Sequence, residues 1–562
     1  MRKQTKIAAV VSAAALLAIG ASMTSFAATG WQEEDGTWVY YNRAGEKVAN
    51  AWEYSGDNRF YLDDAGNMAT DSLIEDNDDY YYVDANGAMV RNRWVAIDNE
   101  EAGEENQPDV WWYYFQANGK AYKNTHSSGN IFKKVINGKT YAFDEDGKMQ
   151  YGWVKKEDGV TNYDDNAYQE CDYYFGDEND GAMSIGWREI ALTDVADADT
   201  EQPGDSYWDS DQVRWFYFKS SGVKQTSSTN KTINGRKYGF DEWGRMIADW
   251  HSATANDADK DLSRRGSSNN AVVDVTKKYA KEFMYFSSPE DGARFTKGWF
   301  KVVPGYYLNY KDYDEGTDRW YYATGDGKIA AGEIKAIKGK KYAFDLKGGM
   351  ISGLALLRTN GKEISEYTDS DGKYDSQESF ETTARGLNDD WGFYYFSDNE
   401  DKDGSMKTGN QRISLDGENF SFSFRKGGTK KGQGINGINE KKYYLGGMLM
   451  TASVDNKIEL LNKNTLERVT VDKFVRDNHL VGKDVTTAVK VGQASKGQIV
   501  YTDGSNSTTD EGTGRDITSL TSDYVVINVS GNVVKSGSKI DGDGYKVVLD
   551  GSNNIKQIIG TN

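Results

Sequence analysis

The sequence predicts an all-β chain: a repetitive solenoid of β-hairpins followed by a small β-rich C-terminal module. Three observations predict it. Short aromatic runs recur along the 562 residues, each followed within a few positions by a turn glycine: Gly45, Gly66, Gly87, Gly119, Gly147, Gly181, Gly222, Gly244, Gly292, Gly327, Gly348, Gly404, Gly427 and Gly447. The closest members of this series stand 20 to 23 residues apart, a period that marks stacked small units rather than one core. The chain also holds 60 glycines against four prolines, so its turns rely on glycine.

Residues 1–27 read as a secretory signal. Arg2, Lys3 and Lys6 give a basic start, Ile7 to Ile19 an apolar stretch, and Ser25-Phe26-Ala27 a small-residue cleavage site. That stretch is short for a membrane span, and no later segment approaches 18 apolar residues, so no span is expected in the mature form. Cleavage removes three basic residues and takes the net charge from −20 to −23. So acidic a chain is a poor partner for nucleic acid, whose binding rests on Lys and Arg neutralising phosphate. Cys171 is the only cysteine, which excludes an internal disulfide and a cysteine-based metal site.

Residues 28–450 form the expected array of about fourteen hairpin units. In a typical unit the strand Tyr238-Gly239-Phe240 leads into the turn Asp241-Glu242-Trp243-Gly244 and out through Met246. One hairpin is marginal in water, so each must bury its aromatic face on the next. A longer period lies above the first. Ile136 to Phe143 recurs as Ile233 to Phe240, as Ile337 to Phe344, and more loosely as Ile438 to Leu445. Their tyrosines Tyr141, Tyr238, Tyr342 and Tyr443 lie 97, 104 and 101 residues apart. Insertions separate the Trp that opens some units from the aromatic strand: Asp98–Asp109, Leu192–Asp211, His251–Lys281 and Arg358–Asp390. Mostly acidic and polar, they read as solvated loops on one face, or as loops that carry specificity for a partner. Beyond Met450 the texture changes to short Val/Ile strands such as Tyr524 to Val529 and Tyr545 to Leu549. Residues 451–562 read as a separate module, with a long loop from Thr502 to Gly514.

Candidate binding residues are aromatic. Four units carry a Trp pair: Trp31/Trp38, Trp94/Trp112, Trp187/Trp215 and Trp299/Trp320. After the last three, the next hairpin presents Tyr141, Tyr238 or Tyr342. Two indoles and a phenol at a hairpin junction make a cage that attracts quaternary ammonium by cation–π interaction or stacks on a sugar face. Catalytic signals are weak. His126, His251 and His479 form no metal-binding pattern, Ser221-Gly222-Val223-Lys224 lies on a turn, and Asn399 to Gly404 starts like a calcium loop whose twelfth position is Asn410 rather than Glu. No catalytic residue, cofactor or metal is expected.

Gly30-Trp31, Gly36-Thr37-Trp38-Val39-Tyr40-Tyr41 and Gly45 together resemble the choline-binding and glucan-binding type of cell-wall-binding repeat. Gly152 to Gly159 and Asn86-Gly87-Ala88-Met89 are similar to its opening and closing segments. The resemblance covers roughly residues 30–450. It implies a hairpin solenoid on a Gram-positive surface protein, holding ligand between consecutive hairpins. Carried over, the cages would use Trp94, Trp112 and Tyr141, then Trp187, Trp215 and Tyr238, then Trp299, Trp320 and Tyr342. The chain departs from the pattern where Arg59, Thr140, Lys237 or Lys341 opens the aromatic strand in place of Trp. The expectation is a non-enzymatic, secreted protein held non-covalently on the cell wall through teichoic acid, choline or a glycan. The alternatives are the targeting module of a wall-remodelling enzyme and an adhesin for extracellular or host glycans.

Overall fold

Each repeat folds as an antiparallel hairpin because its aromatic strand alternates in and out and its turn residues tolerate left-handed backbone. In one copy Ser72–Asp76 pairs with Asp79–Val83 around the two-residue turn Asn77-Asp78, whose φ values are 53° and 66°. Asn137-Gly138 (50°, 82°) and Asn234-Gly235 (49°, 81°) turn the same way. In many units the aromatic strand then ends in an Asp or Asn whose side chain accepts backbone N–H groups of the following turn. Asp84 takes those of Asn86 (2.9 Å) and Ala88 (3.1 Å), and Asp345 those of Lys347 (2.8 Å) and Gly349 (2.9 Å). Two-stranded hairpin sheets of this kind dominate the fold.

The computed structural model describes residues 29–104, 106–125, 130–157, 159–164, 166–192, 212–252, 280–305, 308–368, 373–397, 403–478, 480, 499–502 and 517–560. The signal segment, His126, His479, most of the 192–211 and 251–281 insertions, Asn399 to Lys402 and nearly all of the Thr502 to Gly514 loop lie outside these residues.

One residue per unit does the joining. The Met89 N–H donates to the Arg59 carbonyl of the preceding hairpin (2.8 Å), while its side chain lies against Gly119 of the following one. Met68 repeats the arrangement with Trp38 (2.7 Å) and Gly87, Met149 with Trp112 (2.8 Å) and Gly181, and Met350 with Trp320 (2.8 Å) and Gly404. The turn glycine is therefore needed twice over: most take positive φ, and a Cβ would strike the preceding unit. The expected series holds with one correction. Gly427 has open space around it, and the glycine that seats Met406 is Gly432, with φ of 91°. The run Lys426-Gly427-Gly428 places a glycine at the right period, but the turn is longer than in other units.

The chain divides into two compact units, residues 1–248 with 288–293, and residues 249–287 with 294–562. In the first, small aromatic clusters alternate along the hairpins, for example Tyr82, Val90, Tyr113 and Phe115, followed by Ile136, Tyr141, Phe143 and Met149. In the second, two five-stranded sheets follow two simple hairpins. One runs in the order Lys340–Phe344, Glu333–Ile337, Glu363–Thr368, Gly353–Asn360, Trp391–Phe396.

The Arg358–Asp390 insertion is not a solvated loop. It supplies the strand Glu363–Thr368 and the helix Gln377–Arg385, capped by Ser376. Tyr374 and Phe380 are fully buried, in one cluster with Phe393 and Phe422. The same cluster continues past Met450 to Leu461, Val525 and Ile527. There Ile458–Asn462 pairs with Tyr524–Asn528, and the repeat closure returns. Asn528 Oδ1 accepts from Ser530 (3.0 Å) and Asn532 (2.9 Å), and Leu449 lies against Gly531.

The double demand on the glycine is testable. Gly66 and Gly138 have φ of 75° and 82°, but an added Cβ at Gly66 would stand 2.9 Å from the Val48 carbonyl, while Gly138 has nothing within 4 Å. Gly138→Ala should cost only the left-handed strain, about 1–2 kcal/mol. Gly66→Ala should add about 1–3 kcal/mol of overpacking. Urea unfolding of both variants checks the order; equal loss would show that backbone strain alone matters.

Candidate functional site

The Trp pairs stand where the fold brings consecutive hairpins together. Within a hairpin, the first Trp opens the leading strand and the second sits on the aromatic strand, where its carbonyl receives the closing Met of the next unit. The third ring belongs to that next hairpin, one residue beyond the position equivalent to the second Trp.

Trp94 meets Tyr141 edge-on with centroids 4.8 Å apart, and Trp187 meets Tyr238 at 4.8 Å. Trp299 meets Tyr342 at 4.9 Å. The two indoles lie 6.3 Å apart and nearly perpendicular in Trp187/Trp215, and 6.5 Å apart in Trp299/Trp320. Trp112 packs on the same cluster as Trp94 and Tyr141, and Met149 and Met246 close the bases of the first two trios. All the tryptophans of these pairs are half-buried, so each trio keeps an aromatic edge open to solvent.

The junction of Trp31 and Trp38 has a third ring that the sequence reading did not supply. Phe60 stands 5.4 Å from Trp31. Phe60 follows Arg59 as Tyr141 follows Thr140, so the position after the strand-opening residue was the signal.

An ion pair between consecutive turns lies beside each tyrosine-containing trio. Lys139 meets Asp180 at 2.7 Å, Arg236 meets Asp291 at 2.6 Å in a two-pronged pair, and Lys340 meets Asp403 at 3.1 Å. Burial, helped by Asp180, holds the Tyr141 phenol above its ordinary range. Among the described residues no group of three or more His, Cys, Asp or Glu could hold a metal ion.

The comparisons with known proteins follow this geometry. Residues 46–88, which span the second and third hairpins, match the choline-binding repeat family. Over 370 residues the chain is 28% identical to Glucosyltransferase-S of Streptococcus mutans serotype c, a match that takes in 59% of this chain and 22% of that enzyme. The chain thus spans about a fifth of the length of that curated relative. Choline-binding protein F of Streptococcus pneumoniae, solved in the presence of a tetrasaccharide-pentapeptide peptidoglycan analogue, aligns over 72% of this chain and 98% of its own, at 17% identity and a TM-score of 0.30. The modular autolysin LytC of Streptococcus pneumoniae, solved with a synthetic peptidoglycan ligand, aligns over 58% and 54%, at 15% identity and a TM-score of 0.29. No helix among the described residues is long and apolar enough to cross a membrane.

Other junctions of the repeats are built differently. At Trp52 the third ring is Tyr81, 5.2 Å away, but Arg59 takes the place of a second Trp and lays its guanidinium 4.9 Å over the Trp52 ring. The chain's own cation covers that indole. At Trp250 the neighbours are Tyr321 at 4.9 Å and Phe283, with the indole N–H bonded to the Val303 carbonyl (2.8 Å).

At Trp153 the next hairpin gives Phe216 (5.1 Å), and the closing residue is Lys224 instead of Met. Its ammonium stands 5.3 Å from the Trp153 ring and donates to the Tyr168 carbonyl. Burial pulls the Lys224 ammonium down to about 8 and pushes the Cys171 thiol up to about 12, so the thiol stays neutral at pH 7.

Lys224 makes stability depend on pH in a defined direction. Below about pH 8 it is protonated in both states, and the buried charge costs a constant amount. Between about 8 and the ordinary lysine value of 10.5 the folded chain has lost the proton that the unfolded chain keeps, so stability rises with pH. Lys224→Met should remove that rise, worth roughly 2–3 kcal/mol. Urea midpoints at pH 7 and pH 10 for both proteins measure it; identical pH dependence would show that the ammonium is not desolvated.

Proposed function

We propose that the protein is a non-enzymatic, secreted surface protein whose repeats bind cell-envelope polymer, choline-substituted teichoic acid or glycan, at the junctions between hairpins. The single observation that carries this reading is the recurrence of one aromatic trio. Two tryptophans of one hairpin and a ring of the next gather at Trp94/Trp112/Tyr141, Trp187/Trp215/Tyr238 and Trp299/Trp320/Tyr342, and at the Trp31/Trp38 hairpin Trp31 meets Phe60 of the next. Rings needed only as core have no reason to keep two indoles half-exposed at matched positions, and four such junctions on one chain give avidity. The reading places the protein outside the cell, held non-covalently through these junctions.

A second reading, the targeting part of an enzyme, is favoured by one observation: the match to Glucosyltransferase-S takes in 59% of this chain and only 22% of that enzyme. Under it the same junctions bind glycan, and catalysis resides elsewhere.

Retention on purified cell walls tests the proposal. Replacing Trp38, Trp112, Trp215 and Trp320 together by Ala should abolish retention, since each lost ring contact is worth roughly 0.5–2 kcal/mol and the losses multiply over sites. Retention of the parent chain should fall little between low and high salt, because aromatic contacts are not screened as exposed charge pairs are. Elution by free choline or by glucan identifies the polymer group recognised. Full retention by the folded four-fold variant would reject the proposal.

A further inference from the structure

The four double-tryptophan junctions share their rings but not their charges. Tyr141, Tyr238 and Tyr342 are paired directly across their hairpins with Lys134, Lys231 and Lys335, whereas Phe60 is paired with Glu53. Directly paired residues point to the same face of a hairpin. Each of these four charged side chains therefore emerges on the face that presents the third ring to the two tryptophans. All four are half-buried.

The placement is tightest at Lys134. Its ammonium lies 4.6 Å from the Phe132 ring and 5.5 Å from Tyr122. Both rings pack on the cluster that holds Trp94, Trp112 and Tyr141.

Across from the second tryptophans stand Glu33 at Trp38, Glu189 at Trp215 and Lys301 at Trp320, the last paired with Asp318 at 3.5 Å. Lys139, Arg236 and Lys340 are each paired with an aspartate of the next turn. Lys335 shares its charge with Glu333 at 3.1 Å and Lys231 faces a junction that also holds Glu189, so both are close to neutral, while Lys134 leaves its junction positive and Glu33 adds to Glu53 at the first. Lys134 and Lys231 have no carboxylate partner among the described residues.

Resting on the reading that these junctions hold ligand, we propose that the residue across from the third ring sorts ligands by charge. Lys134, Lys231 and Lys335 make their junctions sites for an uncharged glycan, and Glu53 makes the first junction a site for an organic cation. An indole pair attracts a cation through its ring faces, but an ammonium group beside it repels that cation at short range where solvent is partly excluded. The same ammonium has donors and no acceptor, so it suits sugar hydroxyl and ether oxygens while the rings stack on the C–H face. At Trp31, Trp38 and Phe60 the Glu53 carboxylate reverses the preference and adds to the attraction of the rings. The chain would then grip two chemical groups of an envelope polymer at once.

The test is calorimetric titration of the full chain with choline chloride and, separately, with a linear gluco-oligosaccharide. The parent chain should take up choline at one junction, with the uptake lost in Glu53→Lys, and the oligosaccharide at the other three. The triple variant Lys134→Glu, Lys231→Glu, Lys335→Glu should gain choline binding on the order of tenfold or more at those junctions, a nearby repulsion having become an attraction. It should bind the oligosaccharide more weakly. Choline filling all four junctions of the parent equally would overturn the proposal, as would a triple variant with unaltered thermal unfolding and unaltered choline affinity. Either result, with wall retention still dependent on the tryptophans, leaves the envelope-binding reading standing. If neither probe binds and the tryptophans are dispensable for retention, both fall.

Discussion

The contact on which the structure depends is the seat between one closing side chain and the glycine of the next turn. The residue that closes a unit, Met89 for example, bonds through its amide to the hairpin before and rests its side chain on the hairpin after. Three units are thereby fixed in register by one residue. The glycine must lack a Cβ for the side chain to fit. The aromatic trios inherit their geometry from this contact, since the carbonyl that receives the closing amide belongs to the second tryptophan itself in Trp38, Trp112, Trp215 and Trp320. The geometry of the trios and that of the fold share the same backbone atom.

Much of this was legible in the sequence. The glycine period, the hairpins and the tryptophan pairs follow from residue type and spacing, and Tyr141, Tyr238 and Tyr342 lie next to the tryptophans they were paired with. What escaped has physical reasons. Phe60 and Tyr81 serve as third rings through the offset from the strand-opening residue, and attention to tyrosine within one repeated motif concealed that offset. The helix Gln377–Arg385 hides in an acidic segment because Phe380 and Ala384 are its only buried apolar residues, and their cluster extends to Phe422 and Leu461. The closing geometry continues at Asn528 and Gly531 with Leu449 in the seat, although the aromatic texture has gone. The backbone pattern outlasts the side chains by which it was recognised.

Charge is handled inside the repeats more than between the protein and its surroundings. Arg59 spends its guanidinium on Trp52, Lys224 buries its ammonium against Trp153, and cross-unit pairs such as Lys139 with Asp180 flank the third rings. In a chain of net charge −20, those basic groups are placed where aromatic faces or single carboxylates receive them. Glu381 extends the principle to the insertion, pairing with Arg385 and with Arg468 at 2.6 Å and so tying the helix to the chain beyond Met450.

The two-residue turns and the long insertions occupy the same place in their hairpins. Asn77-Asp78 joins its strands directly, while Asp98 and Val110, or Leu192 and Gln212, are paired neighbours at the mouth of much longer connections. The glycine seats lie at the opposite end, in the turn after each aromatic strand. Extra chain threaded there costs only the slowly rising entropy of a larger loop. The fold therefore has a tolerant end and an intolerant one. New sequence can enter at hairpin tips, whereas one residue added in the short turn between Gly87 and Met89 would move a seat and a closing amide out of register together. Lengthening of the array itself must proceed by whole units.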